Sequence, residues 1–376
     1  MSKFYSHQFK KSLDTIRNEL NVLLSNRDME KSISIKFRNL MLAIIWASRA
    51  AGKSAIPTKN LKDKYKIQLD DRDLKILESI KNGHQISQTF CTKQDIFKSI
   101  YKSKFIEHFD GVHSEIINCP ILNDVIVLVP GVFNEFFSTA AFERAAQYLK
   151  ENGSAEYIVV KVDGTKDSES NSSYIQHQLF DFIERNPHKR LWLVAFSKGG
   201  IDCLHFLRNN FDFANNYVRG LSTLASPILG TFHFSRATIK YLLAASKKLK
   251  SHVSMDMELF NVLENFESSL SGDQESWFKE NHQFLPKSTF YTALAFESDF
   301  IDSHFWMMLA KIFLKSEQIN DGVVDADRAF FPDYFEAHNL GIVQGHHLVG
   351  SRSSLFAQEA ILEAHIIFLK YLGLLN

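Results

Sequence analysis

The sequence has little cysteine, and its cysteines are scattered. They are Cys91, Cys119 and Cys203, three in a chain of 376 residues. Thiols so far apart in sequence fit neither a disulfide framework nor the paired spacing of zinc ligands. No other metal or cofactor motif stands out, so we expect the protein to use neither a metal nor a cofactor.

Long apolar runs are also missing. The longest, MLAIIWA at 41–47, falls far short of the roughly 20 residues that a membrane-spanning helix needs. Residues 1–20 lack the apolar segment and the small-residue cleavage site of a signal peptide. We therefore expect a cytoplasmic location with reduced cysteines, although secretion by a route without a signal peptide stays open.

The chain carries no net charge, but its charges are unevenly spread. Residues 1–118 hold 21 Lys+Arg against 13 Asp+Glu, and the remainder holds 22 against 30. We interpret the basic excess first as a solvated face, with contact to an acidic surface or, peripherally, to anionic lipid headgroups as the alternative. The segment AAGKSAIP at 50–57 lacks the first glycine of a phosphate-binding loop, so we expect no nucleotide site there. Nucleic acid is not an expected partner either.

The pattern of apolar residues divides the chain in two. Residues 1–118 predict helices, among them 71–82, which stops at Gly83, and one that opens with a capping box at Thr92–Asp95. From 119 onward strands alternate with helices. The predicted strands are 124–130, 156–162, 191–196, 217–227, 289–296 and 338–345, and the predicted helices include 137–153, 172–186 and 354–373. This alternation predicts an α/β fold, a mostly parallel sheet with helices on both faces.

Two domain-level predictions follow from this division. Residues 1–118 form a mostly helical region of unknown role, and 119–376 form the α/β domain. Residues 228–288 separate two predicted strands and themselves have a helical pattern. Such a long insertion predicts a lid or cap over the site, and decoration packed away from the site is the alternative.

A candidate nucleophile lies in the stretch LWLVAFSKGG at 191–200. An apolar run leads directly into Ser197, and the neighbours Ala195, Gly199 and Gly200 are small. A serine at a sharp turn from strand to helix needs small neighbours, because its backbone is strained and the two elements approach closely. About one chain in four of this length shows such a motif by chance, so the rest of the sequence must support it.

A serine nucleophile needs a base and an acid that orients the base, here downstream in the order serine, acid, histidine. The segment NDGVVDADR at 320–328 offers Asp321 on a glycine turn, with Asp325 as its substitute. The segment QGHHLVG at 344–350 follows the last predicted strand and offers His346 and His347. The residues themselves do not choose between the two histidines.

The reaction also needs two backbone N–H groups to hold an oxyanion. Lys198, which follows the nucleophile, should supply one, and Val132, in the loop after the first core strand, the other. The ammonium group of Lys198 is expected at the solvated surface, and a contribution of this charge to the oxyanion site is the alternative.

Five segments occur in an order that points to a known superfamily. They are PGVFNEF, AFSKGG, TLASPILGT, NDGVV and HHLVG. Together they resemble the α/β-hydrolase superfamily, and within it the lipase-like serine esterases, over about residues 120–376. The chain differs from the usual pattern at Ala195, where glycine is common, and at Pro130, where the oxyanion segment usually has histidine.

The resemblance implies an α/β-hydrolase fold and a triad of Ser197, Asp321 and a histidine. The pair HL at 347–348 favours His347, while His346 stays open. The implied activity is hydrolysis of carboxylic esters, and the predicted lid and the 33 phenylalanines favour a lipid or other apolar acyl ester. Two alternatives remain, namely an acyltransferase with the same triad and a non-catalytic binding or scaffold protein.

Overall fold

The structure is a computed structural model of the chain. It describes residues 67–87, 90–110, 116–131, 140–164, 166–231, 273–298, 319–347, 349–350 and 356–375. Val132 lies outside these residues, as do most of the basic region and most of the predicted lid. The predictions of a helical region at 1–118, a lid at 228–288 and a membrane contact therefore stay predictions.

Six strands form one sheet. They are β1 (Leu122–Val129), β2 (Ala155–Val159), β3 (Leu191–Phe196), β4 (Val218–Leu224), β5 (Phe290–Glu297) and β6 (His338–Gln344). Their order in the sheet is β2-β1-β3-β4-β5-β6, and the pairings from β1 through β6 are parallel. Each predicted strand is present, with small shifts at its ends.

The central strand β3 explains why its sequence shows no polar alternation. All six residues of LWLVAF are buried. A strand covered on both faces of a parallel sheet reads as a continuous apolar run, which is the pattern that predicted it. The carboxyl end of β3 leads directly to Ser197, so the candidate nucleophile sits where parallel α/β sheets bind their ligands.

Eight α-helices are found in the described ranges. They are α1 (Asp71–Lys81), α2 (Lys93–Asp110), α3 (Glu143–Glu151), α4 (Ser168–Arg185), α5 (Lys198–Asn209), α6 (Phe211–Tyr217), α7 (Asp273–Asn281) and α8 (Gln358–Tyr371). The capping box predicted for α2 is present, with Thr92 Oγ1 accepting from the N–H of Asp95 at 3.1 Å and Asp95 Oδ2 accepting from the N–H of Thr92 at 2.9 Å. No helix among the described residues is long and apolar enough to cross a membrane.

The prediction of a helix over 137–153 places its start too early. Helix α3 begins at Glu143 because Phe142 has a left-handed backbone, with φ 63°. The N–H of Phe142 donates to the carbonyl of Gly350 at 2.8 Å, and its side chain is fully buried. This tertiary contact keeps residues 140–142 out of the helix that the apolar periodicity predicted.

The described residues fall into two compact units. The helical unit draws on 1–122, 136–156 and 349–376, and the sheet unit on 123–135 and 157–348. In the helical unit, α8 packs against α2 and α3 and is buried from Gln358 to Leu369. Its buried residues include two carboxylates, and these are paired: Glu359 with Arg144 of α3 and Glu363 with His108 of α2.

The core of the sheet unit lies between the sheet and two helices. Val127 on β1 and Leu193 on β3 share a buried cluster with Leu179 of α4 and Leu204 of α5. Helices α4 and α5 also pack closely against each other. The start of α5, which follows Ser197, is therefore held by both the sheet and a neighbouring helix.

Candidate active site

Ser197 occupies the turn between β3 and α5. Its backbone has φ 54° and ψ −132°, a conformation that side chains of L-residues rarely adopt. Its N–H donates to the carbonyl of Leu224 at 3.0 Å, and its own carbonyl accepts from the N–H of Gly200 at 3.0 Å. Strain of this kind persists only where the surroundings hold it, and it concentrates at functional sites. The turn has the geometry of a nucleophile elbow.

Close packing explains the glycines around the elbow. A Cβ added at Gly199 would lie 2.5 Å from the carbonyl oxygen of Val129, and one at Gly131 would lie 2.7 Å from Cβ of Ser197. Both distances are shorter than any van der Waals contact allows. Gly131, which follows β1, thus lies directly against the serine, and only residues without a side chain fit at 131 and 199.

Asp321 lies on a turn that the following glycine makes possible. Gly322 has φ 100°, which favours glycine. The Oδ1 atom of Asp321 accepts from the N–H groups of Val323 at 2.9 Å and Val324 at 2.8 Å. These two bonds fix the carboxylate and leave its Oδ2 atom to face the next partner.

That partner is His347, which links the acid to the serine. Its Nδ1 lies 2.7 Å from Asp321 Oδ2, and its Nε2 lies 2.8 Å from Ser197 Oγ. The backbone N–H of His347 also donates to the carbonyl of Asp321 at 2.9 Å, which fixes the ring relative to the acid turn. Exposure is 2% for Ser197, 0% for His347 and 1% for Asp321.

The hydrogen-bond network assigns the protons of this chain of contacts. Asp321 Oδ2 can only accept, so Nδ1 of His347 donates to it, and Nε2 is left to accept the hydroxyl proton of Ser197. A base oriented by a carboxylate and hydrogen-bonded to a hydroxyl is the arrangement that activates a serine for attack on a carbonyl carbon.

Comparison with known proteins places this architecture. No protein-family model matches the sequence, and no curated protein matches it. Among solved structures, a metagenomic carboxyl esterase superposes with a TM-score of 0.51 and 21% identity, over 68% of this chain and 78% of that one. The chain has the α/β-hydrolase fold. The predicted fold class is thereby confirmed.

Two further structures with lower scores belong to the same comparison. The mature lipase BlEst2 of Bacillus licheniformis gives a TM-score of 0.44 at 20% identity, over 63% of this chain and 88% of that one. A monoglyceride lipase from Saccharomyces cerevisiae, in complex with a substrate analogue, gives 0.39 at 12% identity, over 68% and 90%. At 21% identity the likeness to the carboxyl esterase concerns the fold and not the residues of the site.

The other predicted site residues are neighbours in sequence of the acid and histidine turns or lie outside the described ranges. His346 is 7% exposed and directly precedes His347. Asp325 is 1% exposed, and its carbonyl accepts from the N–H groups of Arg328 and Ala329 at the start of a 3-10 turn. Val132 is not described, although its neighbour Gly131 adjoins Ser197. Among the described residues, no group of three or more His, Cys, Asp or Glu side chains could hold a metal ion.

Lys198 differs from its prediction. Its residue is 1% exposed, so the expectation of a solvated ammonium is wrong. The Nζ atom donates to Asp202 Oδ1 at 2.7 Å, one helical turn further along α5. Taking either charge out of water carries a desolvation penalty on the order of several kcal/mol, and the pairing offsets it. The backbone N–H of Lys198 lies in the first turn of α5, where helix N–H groups have no partner within the helix.

Sequence reasoning missed the residues that complete this buried pair. Asn171 of α4 is fully buried, and its Nδ2 donates to Asp202 Oδ2 at 2.8 Å. The same amide group also bonds the backbone of Asp163, with Nδ2 donating to its carbonyl at 3.0 Å and Oδ1 accepting from its N–H at 3.1 Å. The only sequence signal was a Lys and an Asp four residues apart in SKGGID, directly after the nucleophile.

Proposed function

We propose that the protein is a serine hydrolase that cleaves carboxylic esters through an acyl-enzyme. The observation that supports this most directly is the hydrogen-bonded chain from Ser197 through His347 to Asp321, which starts at a strained elbow. The same fold serves a carboxyl esterase among the solved structures. Neither the strain nor the buried polar chain is needed for a simple strand-to-helix connection.

In the first half of the reaction, Ser197 Oγ attacks the ester carbonyl carbon while His347 Nε2 takes the hydroxyl proton. The carbonyl π electrons move to its oxygen, and the N–H groups of Lys198 and Val132 hold that oxyanion. When the intermediate collapses, the C–O bond to the alcohol breaks and His347 gives its proton to the leaving oxygen. Asp321 stabilises the imidazolium that exists between these two transfers.

In the second half, water repeats the attack on the acyl-enzyme. His347 takes a proton from the water, the oxyanion forms again in the same place, and the bond to Ser197 Oγ breaks. The proton returns to Ser197, and the carboxylic acid leaves. No step needs a metal or a cofactor in this scheme.

The proposed substrate is a lipid or another apolar acyl ester. The 33 phenylalanines of the chain and the predicted lid at 228–288 support this choice over a peptide. The burial of the serine also supports it, because an apolar acyl chain loses less than a polar group does when it leaves water for a buried site.

Turnover of a p-nitrophenyl ester and labelling by a fluorophosphonate test the proposal. Ser197→Ala should lose both, with turnover falling by at least about 10³-fold. His347→Ala should lose turnover to a similar degree, while His346→Ala serves as the matched control and should retain most of it. Wild-type turnover in Ser197→Ala would refute the mechanism, and loss of activity only in His346→Ala would reassign the base.

The same experiment separates the two alternatives. An acyltransferase would label at Ser197 but would transfer its acyl group to a lipid alcohol when one is supplied, which product analysis detects. A non-catalytic scaffold would show neither labelling nor turnover in the wild type.

A further inference from the structure

The buried network behind the elbow suggests a role in the reaction. It runs from the backbone of Asp163 through the side chain of Asn171 on α4 to Asp202 and then Lys198 on α5. All of these groups belong to the sheet unit. The network ends on the residue whose backbone N–H is the proposed oxyanion donor.

A lysine is a poor choice for this position unless it has a purpose. The first turn of a helix carries the positive end of the helix dipole, which disfavours a cation there. An exposed lysine would avoid that cost and the cost of burial, yet this side chain is 1% exposed. Asp202, at 2% side-chain exposure, and Asn171, at 0%, are buried with it. Lys198 and Asn171 each donate to one oxygen of the Asp202 carboxylate, so both oxygens have a partner.

We infer that Lys198, Asp202 and Asn171 are positioning residues that hold the first turn of α5 in place for catalysis. The elbow at Ser197 is strained, so its geometry depends on contacts from outside the turn. The glycines supply those contacts toward β1, and the network supplies them toward α4. Among the described residues the ammonium bonds Asp202 and not Ser197, His347 or Asp321, so we place its effect in the backbone of its own residue.

This inference rests on the proposed function, and it predicts a specific kinetic result. In Lys198→Met the backbone donor remains but its anchor is lost. Binding of the oxyanion should therefore weaken more than binding of the ground-state ester. We expect kcat for a soluble p-nitrophenyl ester to fall by about 10- to 100-fold with KM changed less than about twofold. The inhibition constant of a trifluoromethyl ketone, whose adduct with Ser197 carries the oxyanion, should rise by the same factor as kcat/KM falls.

A double variant separates positioning from stability. Lys198→Met with Asp202→Leu removes both charges, so its melting temperature should return toward the wild-type value while kcat stays low. This variant also keeps the test valid if Lys198→Met alone does not fold. Asn171→Ala keeps the Lys198–Asp202 pair but removes the bonds from α4 to Asp202 and to the backbone of Asp163, and it should lower kcat by a smaller factor, of about 3 to 10.

The matched control is Lys104→Met, which breaks the buried pair Lys104–Glu107 in the helical unit. Its atoms lie 2.8 Å apart, against 2.7 Å in the Lys198–Asp202 pair. Breaking it should lower the melting temperature and leave kcat unchanged. A folded Lys198→Met or double variant with wild-type kcat would overturn the inference. Ser197→Ala in the same assay distinguishes failure of this inference from failure of the proposed function. Wild-type turnover in Ser197→Ala would rule out the serine mechanism itself.

Discussion

The candidate site contains one buried lysine–carboxylate pair and one buried histidine–carboxylate pair, and each has a counterpart in the helical unit. In the sheet unit, Nζ of Lys198 lies 2.7 Å from Oδ1 of Asp202. On α2, Nζ of Lys104 lies 2.8 Å from Oε2 of Glu107. Side-chain exposure is 1% and 2% in the first pair and 5% and 7% in the second. By distance and burial alone the two pairs are nearly equivalent.

The two pairs differ in what lies beyond them. The second oxygen of Asp202 accepts from Asn171, which continues into the backbone of Asp163. The second oxygen of Glu107 is buried and accepts no hydrogen bond from the described residues. A fully satisfied network fixes its members, whereas a half-satisfied pair carries the desolvation cost without that gain.

The histidine–carboxylate pairs show the same contrast. Nδ1 of His347 lies 2.7 Å from Oδ2 of Asp321, and in the helical unit Nε2 of His108 lies 2.6 Å from Oε2 of Glu363. The other ring nitrogen of His347 reaches Ser197, whereas the ring of His108 packs edge-on against Tyr148 at 5.1 Å between centroids. The two pairs therefore differ in the third partner, which is a serine hydroxyl at the candidate site and an aromatic ring in the helical unit.

The largest expected effect comes from breaking the two histidine pairs in parallel. Asp321→Asn keeps the shape of the side chain but favours the wrong tautomer of His347, so kcat should fall by about 10⁴-fold with little loss of stability. Glu363→Gln makes the matching change at His108 and should leave kcat unchanged. Steady-state turnover of a p-nitrophenyl ester measures both. Equal losses in the two variants would mean that pairing alone, without the contact to Ser197, decides the role.

The next effect concerns the free energy of unfolding. Lys104→Met leaves Glu107 buried without its partner and should destabilise the protein by about 3–5 kcal/mol. Adding Glu107→Leu removes the second charge, so the double variant should be as stable as the wild type or more stable by about 1–4 kcal/mol. Chemical denaturation followed by circular dichroism measures these differences. A double variant as unstable as the single one would show that the Lys104–Glu107 pair contributes net stability.

Much of the fold could be predicted from the sequence, because strand and helix patterns are local. The apolar runs around β1 and β3 and the capping box of α2 are visible in short windows of sequence. The elbow serine and the acid and histidine turns could also be located, since each carries glycine or small residues in a recognisable order. The start of α3 was predicted wrongly because the left-handed backbone of Phe142 depends on a contact with Gly350, far away in the chain.

The network around Lys198 could not be predicted for the same reason. Its two halves, Asn171 and Asp202, lie 31 residues apart, and nothing in either segment indicates that the other is close. Lysine is exposed in most proteins, so the default expectation fails when a tertiary partner satisfies the charge. The choice between His346 and His347 likewise depends on which ring faces Ser197, and two adjacent histidines look alike in sequence.

The smallest effect concerns a buried histidine that, in contrast to His347, faces no carboxylate in the described contacts. His365 on α8 donates from Nδ1 to the carbonyl of Ile361 at 2.9 Å and packs edge-on against Phe97, and its Nε2 has no hydrogen-bond partner among the described residues. Burial lowers the pKa of His365 to about 4, from the 6.5 of the unfolded chain. Above pH 6.5 the residue is neutral in both states, so it has no effect on stability there.

As the pH falls from 6.5 to about 4, the unfolded chain binds a proton at this residue that the folded protein does not. The wild type should therefore lose about 3 kcal/mol of stability over that range through His365, with no further loss below it. His365→Phe removes the titrating group and keeps an aromatic ring, so its stability should fall less steeply in the same window. Denaturation midpoints measured at intervals from pH 7 to pH 4 test this difference. Parallel curves for the two proteins would mean that the pKa of His365 is not lowered in the folded protein, and hence that burial at this position does not disfavour the charged ring.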